Sequence, residues 1–404
     1  QKPFSAHRLL TLAALLAALP AAAAPNNITD LGTLMNDNSS WSNANAVSSD
    51  GSIVVGDADD GNGLRAIVWS GSNWATKTNL GTLRADNSGW SHANAVSSDG
   101  SLVVGYTLYD SLQNHATVWS GSGWTTKTDL GTLKSDNSGD SKANAVSRDG
   151  SVVAGVAVND NGEPHAAIWS GSGWSTKTDL GTLRSDNSGN SEVYAVSDDA
   201  SVVVGNSQHT NFLYPATHAT VWSGNGWTTK TDLGAPDVDN LYISSATSVS
   251  SDGSVIAGYA SDFGLNYRAI VWSGNGWTTT TYLGTLKADN SGVSRALAVS
   301  KDGSMVGGEA ENDNGEKRAT VWSGSGWGTK TDLGTLKADN SGASRVSGLS
   351  ADGNIAVGYA DNDNGDTRAA VWNLRGGRAV DTANTRTSLS LLSADTAAML
   401  AQRA

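Results

Sequence analysis

Residues 141–181 read "SKANAVSRDGSVVAGVAVNDNGEPHAAIWSGSGWSTKTDLG". "ANAVS" and "SVVAGV" are short runs of strand-forming residues that meet at Asp149-Gly150, a strong hairpin turn. "HAAIWS" and "WSTKTDLG" make a second pair, joined through Gly171-Ser172-Gly173. The "NDNGEP" between the pairs consists of turn formers. Connections this short join antiparallel strands, so the stretch reads as one sheet of four.

The same text returns along the whole chain. Its Leu-Gly pair falls at Leu31, Leu80, Leu130, Leu180, Leu233, Leu283 and Leu333. Its first Trp falls at Trp69, Trp119, Trp169, Trp222, Trp272, Trp322 and Trp372. The steps are close to 50 residues, with one of 53 between Trp169 and Trp222. A period of this size marks stacked or radial repeats. Seven antiparallel four-stranded units predict an all-β, seven-bladed β-propeller. A parallel β-helix would also repeat, but its coils do not call for Asp-Gly hairpins.

Each strand has a composition that suits one place in a blade. The first is rich in Ala and Ser (Ala93, Ala95, Ala143, Ala145, Ala296, Ala298), as a crowded innermost strand requires. The next two are apolar. The last, "TKTDLG", alternates like an edge strand facing water. Seven Trp in one repeated position read as packing residues, each able to remove about 150–250 Å² of surface from water. The seventh unit lacks an outer strand, whereas residues 27–34, "NITDLGTL", are an outer strand without a blade. Pairing the two would close the ring.

Composition narrows the function classes. The 404-residue chain contains no Cys, which excludes disulfides and thiolate chemistry. Its formal net charge of −13 makes nucleic acid and anionic lipid poor partners. Residues 1–24 read as a secretory signal peptide: Lys2 and Arg8, an apolar run from Leu9 to Leu19, then small residues Ala21–Ala24. The propeller is expected over residues 25–377. Residues 378–404 lose Gly and Trp and place Leu389, Leu392, Thr396, Met399 and Leu400 on one helical stripe.

The units resemble the HAF repeats of exported bacterial proteins, autotransporter passengers among them. The matching residues are the "HA…W" of His115-Ala116-Thr117-Val118-Trp119, His165-Ala166 and His218-Ala219, the Asp-Leu-Gly-Thr-Leu phrase, and the "AVSxDGSxVVG" hairpin. Units 1, 5, 6 and 7 carry Arg65, Arg268, Arg318 and Arg368 in place of the His. The resemblance covers about 350 residues and implies no known chemistry. It implies export to the surface or exterior of a Gram-negative cell, with the periplasm as the alternative. It also implies that residues 378–404 form the helix leading toward an outer-membrane barrel, the alternative being a C-terminal helix that docks on the propeller or frays.

Strand direction places the Asp-Gly and Gly-Ser-Gly turns on one face of the disc. The loops from second to third strand, and the "DNSG" loops between blades, then share the other face, which carries the variation. Tyr109, Phe212, Tyr214, Phe263 and Tyr267 break the pattern there, with Tyr242, Trp41 and Trp90 in inter-blade loops. Aromatics beside Asn and Asp stack on and hydrogen-bond to sugars or proteins, so these eight are the ligand-binding candidates. The competing reading is that they fold back onto their blades. Asp57 and Asp59, and Asp361 and Asp363, offer oxygens suited to calcium, but neither loop completes a calcium-binding pattern. No cofactor is expected otherwise. The His or Arg four residues before each Trp reads as a structural partner of a nearby Asp or carbonyl.

The expectation is therefore a non-enzymatic passenger that presents its propeller for adhesion to a glycan or protein on a host or neighbouring cell. The alternatives are a secreted or periplasmic hydrolase or lyase with its site in the central channel, and a periplasmic scaffold. The inner strands argue against an enzyme because Glu192 and Tyr194 read as their lone departures from small and amide residues.

Overall fold

The computed structural model describes residues 27–374 except 111, 210–216, 235–242 and 262–265. The leader, the segment 378–404 and four of the candidates, Phe212, Tyr214, Tyr242 and Phe263, lie outside the described residues.

Seven four-stranded antiparallel sheets surround one axis as a seven-bladed β-propeller. In blade 1 the strands, from the axis outward, are Ser42–Val47, Val54–Asp59, Leu64–Ser70 and Thr76–Asn79. Blade 7 takes its outer strand from the other end of the chain: Ile28 pairs with Trp372, Thr29 with Val371 and Asp30 with Ala370. The ring closes where the sequence left one strand short and one strand over.

Packing lies between blades. Val55, Ala66, Val68 and Leu80 of blade 1 form one cluster with Ala93, Val103 and Trp119 of blade 2, and the pattern recurs around the ring. The seven repeated Trp are at most 3% exposed. At about 25 cal/mol per Å², each contributes up to about 5 kcal/mol, an upper bound set by the extended reference chain. Their indole N–H groups have no acceptor among the described residues, so packing alone holds them.

The second Trp of each outer hairpin has a different task. Trp74, Trp124, Trp174, Trp227, Trp277 and Trp327 sit at φ between 55 and 57°, a strained region for a bulky residue. Each indole nitrogen donates to the carbonyl of the Asp-Gly-type turn in the same blade, as Trp174 Nε1 does to Gly150 at 2.9 Å. The two turn types thus share a face, as strand direction predicts.

On that face the residue before each turn Asp builds a belt around the axis. Ser251 N–H donates to Lys301 O at 3.0 Å, Lys301 to Ala351 at 3.3 Å, and Ala351 to Ser49 at 3.1 Å. Lys301 Nζ also reaches past blade 5 to Asp198 Oδ2 of blade 4 at 2.6 Å, with Arg148 Nη1 at 3.5 Å from the same oxygen. An ion-pair network therefore spans this end of the channel.

Every inner strand carries a β-bulge at its fourth residue. A bulge re-aims its extra side chain. Here Asn45, Asn94, Asn144 and Thr247 donate to backbone carbonyls of the next inner strand at 2.8–2.9 Å. Opposite the bulge the second strand needs Gly. A Cβ on Gly205 would lie 1.9 Å from Glu192 O, and one on Gly358 1.8 Å from Arg345 O.

Candidate functional site

Against this regular frame two positions refuse to repeat. The second residue of the inner strand is Asn43, His92, Lys142, Glu192, Ser245, Arg295 or Arg345. Its cross-strand partner is Asp57, Tyr106, Val156, Asn206, Tyr259, Glu309 or Tyr359. Both positions lie at the end of the inner strands that adjoins the variable loops, so fourteen side chains of nine kinds surround one mouth of the channel. The expectation that Glu192 and Tyr194 depart alone is corrected here. His92, Lys142, Arg295 and Arg345 depart as well, and they stand beside the same mouth.

Side chains from neighbouring blades meet there. Asp57 is buried in blade 1 and accepts from Asn45 Nδ2 at 3.0 Å and from Ala93 N–H at 3.2 Å. Its Oδ2 also lies 3.4 Å from His92 Nδ1 of blade 2. His92 stacks on Tyr106 at 4.5 Å between centroids, and Lys142 of blade 3 lies 5.1 Å from the centre of the same ring. Burial pushes the Tyr106 hydroxyl up to about 12, and the carboxylates of Asp57 and Glu192 add to the effect. Tyr106 therefore keeps its proton at neutral pH.

Blade 4 supplies a second polar group. Tyr194 donates to Glu192 Oε2 at 3.1 Å, and Asn144 Nδ2 of blade 3 donates to Glu192 Oε1 at 2.9 Å. Burial, reinforced by Glu192, raises the Tyr194 hydroxyl far above the ordinary tyrosine range. Across the mouth Arg295 pairs with Glu309 at 3.3 Å and caps two tyrosine rings, Tyr267 at 4.5 Å and Tyr259 at 5.5 Å. Arg345 lies 4.8 Å from the Tyr359 ring. Burial raises the Tyr359 hydroxyl as well, with the Arg345 charge opposing.

The buried polar atoms without a partner point to the same place. Apart from the seven packed indoles and the repeat residues His115, His218 and Arg368, they are Asn43 Oδ1, Ser245 Oγ, Arg345 Nε and Ser347 Oγ. Asn43, Ser245 and Arg345 hold the variable position, and Ser347 is a bulge residue of the same ring. A buried polar atom left unpaired costs about 1–3 kcal/mol, so these four concentrate unmet hydrogen-bonding capacity beside the mouth.

The predicted residues divide in several ways. Tyr267 joins the mouth through Arg295 and Tyr259, the last at 5.1 Å edge to face. Trp41 and Trp90 are 36% and 44% exposed, and Trp90 Nε1 donates to Asn114 Oδ1 at 2.9 Å, outward on the third strand of its blade. Tyr109 folds back and stacks on His115 at 4.5 Å. Asp57 belongs to the mouth and not to a calcium loop. Asp59 accepts from Gly61 N–H and Ser40 Oγ, Asp361 from Ala343 N–H, and Asp363 from Ala338 N–H. Among the described residues neither acidic loop brings three His, Asp or Glu ligand atoms together. The "DNSG" residues are turns: Asp136 accepts from Ser138 N–H, while Asn137 Oδ1 accepts from Thr132 N–H and Lys177 Nζ.

The repeated His or Arg is structural in the described blades. His115 Nδ1 meets Asp129 at 2.9 Å, His165 meets Asp179 at 2.8 Å, and Arg318 Nε meets Asp332 at 3.3 Å. In blade 4 His209 stacks on His218 at 4.6 Å as both approach Asp232. The rings are within 13° of parallel, so no ion can lie in the plane of both. His209 thus takes the place that Tyr109 takes in blade 2.

No family model and no curated protein matches the chain. Solved structures match it through the fold. The β-propeller domain of the Trilobed protease from Pyrococcus furiosus aligns at TM-score 0.51 and 12% identity, covering 85% of this chain and 99% of that one. Prolyl oligopeptidase B from Galerina marginata aligns at TM-score 0.54 and 8% identity, covering 88% of this chain and 50% of that one. TolB from Acinetobacter baumannii aligns at TM-score 0.45 and 13% identity, covering 82% of this chain and 66% of that one. The chain thus spans about two thirds of that TolB and half of the oligopeptidase.

Shared at such low identity, the propeller architecture alone is established. It corrects the expectation of a protein without catalysis, because a chain named as an oligopeptidase carries the same fold. Among the described residues no helix is long and apolar enough to cross a membrane.

Proposed function

We propose that this chain is an exported propeller that binds a polar ligand in the channel mouth on its variable-loop face. One observation carries the reading: outside the repeat machinery, every described buried polar atom without a partner lies around that mouth. The signal-like leader at residues 1–24 supports export, with action in the periplasm or after release. Presentation at the cell surface as an autotransporter-type passenger, with adhesion as the outcome, rests on the resemblance to HAF repeats. Protease treatment of intact cells tests it, because a periplasmic propeller survives that treatment and a surface one does not.

A second reading, turnover at the same mouth by a hydrolase or lyase, is favoured by Asp57, His92 and Tyr106. An imidazole held by a carboxylate and stacked on a tyrosine that keeps its proton supplies a base and an acid side by side. The experiment is a thermal-shift screen of the full chain against polar small molecules, repeated with Tyr106→Phe and His92→Ala. A ligand whose shift disappears in both variants supports binding at the mouth. Shifts that survive in both place the site elsewhere and end the proposal. Turnover lost in His92→Ala with binding retained would establish the second reading.

A further inference from the structure

The last residue of the outer strand does the same work in every blade but one. It is Asp129, Asp179, Asp232 or Asp332 in blades 2, 3, 4 and 6, Asn79 in blade 1, and Asp30 in the strand that completes blade 7. Its side-chain oxygen accepts from the N–H of the Gly two residues on, at 2.7–2.9 Å. All five of the Asp also meet the His or Arg of the third strand, at 2.8 Å for His165 and 3.3 Å for Arg318.

Blade 5 reads "TTTY" where most others read "TKTD", and Tyr282 holds this place. The surrounding frame is retained. Tyr282 pairs with Ile270 as Asp129 pairs with Thr117, and Leu283 N–H donates to Ala269 O at 2.9 Å as Leu130 N–H does to Ala116 O. Arg268 Nη1 donates to Asn290 O at 3.1 Å, as Arg318 Nη1 does to Asn340 O. The Lys that Thr280 replaces is accounted for separately. Lys230 and its counterparts clamp a "DNSG"-type loop of the preceding blade, and residues 235–242 before blade 5 do not contain that sequence. The carboxylate has no such account, because the groups it would serve are all present.

The place is also open to solvent. Arg268 is half-buried, whereas Arg65, Arg318 and Arg368 are at most 6% exposed. The Tyr282 side chain stands 53% exposed and leaves an open groove of about 260 Å³, lined by Arg268, Tyr282, Gly284 and Asn290. Among the described residues no acceptor answers the Gly284 N–H, which is answered at all six counterparts. Arg268 need not be idle to take another partner, since Arg318 serves Asp332, Glu316 and Asn340 at once.

We propose that this groove binds a carboxylate from outside the chain, where the other blades supply their own. One carboxylate oxygen accepts from Gly284 N–H and the group faces the Arg268 guanidinium, a charge-assisted arrangement. The site lies on the outer margin of blade 5, apart from the channel mouth, and stands independently of the function proposed above.

Titration calorimetry on the full chain tests this with acetate and benzoate as free acids and N-acetylaspartate amide as a side-chain carboxylate, each against its neutral amide. At least one carboxylate is expected to bind at least about tenfold more tightly than its amide, and the tightest of the three says whether a free acid or an acidic side chain is the natural source. Tyr282→Asp returns a carboxylate to the chain, so it should weaken that binding at least about tenfold and raise the melting temperature without ligand. Arg268→Met should weaken binding about tenfold, and Tyr106→Phe should leave it unchanged. Equal binding of the amides, binding retained in Tyr282→Asp, or binding lost in Tyr106→Phe overturns the proposal. Should Tyr282→Asp fail to fold, Asp332→Ala decides: it opens the same place in blade 6 and should gain a second carboxylate-binding event. No gain there overturns the proposal as well.

Discussion

The outer hairpins and the channel mouth are built from the same repeat yet obey opposite rules. In the outer hairpin, position after position is spelled alike from unit to unit, and the buried atoms without a partner there belong to repeated residues, the packed indoles with His115, His218 and Arg368. Trp174 answers the turn at Gly150, and Lys177 answers Thr132 and Asn137. At the mouth the two facing positions differ in nearly every blade, and four polar atoms there remain without partners. The unpaired atoms of the hairpin recur with the repeat, whereas those of the mouth belong to residues that differ from blade to blade. The comparison teaches that in a chain of near-copies the departures from the copy locate function better than the copy does.

The sharpest way to break the comparison is to remove a repeated packing residue. Trp169→Ala should cost about 3–5 kcal/mol of stability, measured by urea unfolding, with its cavity only partly collapsing. Next comes the glycine that lets two strands meet behind the mouth. Gly205→Ala puts a Cβ 1.9 Å from Glu192 O and should cost about 3 kcal/mol, whereas Gly226→Ala, with no atom within 4 Å but φ of +65°, should cost about 1 kcal/mol. Equal costs would show that the bulge does not depend on Gly.

Mouth substitutions should behave in the reverse sense. Tyr106→Phe keeps the stacked ring and should change stability by less than about 1 kcal/mol while abolishing ligand-induced thermal shifts. A large stability loss with binding intact would reduce the mouth to a structural feature.

The smallest effect is the response to acid. Hydrogen bonds from serine lower the turn aspartates Asp99, Asp136, Asp149 and Asp289, and Asp86 is lowered to about 2 by the Ser88 N–H. A carboxyl lowered in the folded state stabilises it above the unfolded value near 3.9 and loses that contribution as pH falls through the folded value. The melting temperature should therefore be flat with respect to these groups above about pH 5 and decline between about pH 4 and pH 2. A melting temperature indifferent to pH across that range would deny these turns an energetic role.

Much of the architecture was legible because it is local. Asp149-Gly150 calls for a hairpin wherever it stands, and "NITDLG" is recognisable as an outer strand even without its blade. The candidate site was only partly legible. Trp41, Trp90 and Tyr267 stand out in the sequence as aromatics on the variable face, and the structure brings Tyr267 to the mouth through Arg295 while Trp90 is tied outward to Asn114. Tyr109 was picked out for the same reason, but His115 lies within stacking reach and draws it down. His92, Lys142, Arg295 and Arg345 carry no local signal, although each stands where its siblings in the other units read differently. Comparing the units column by column would have revealed them. Their partners would still have stayed hidden, because the residues that meet them lie on other blades.

The sequence by itself determined the number of blades, their strand order, the closure of the ring and the burial of the seven Trp. Period, turn chemistry and apolar patterning act over a few residues and need no knowledge of the rest. Only the tertiary structure decided that Asp57 faces His92, that Lys142 rests on Tyr106, and that Asn144 reaches Glu192. Ring closure brings residues from about 50 to about 300 positions apart to one axis, and the bulge in each inner strand turns side chains toward it. Neither effect leaves a mark in the local pattern of any one unit.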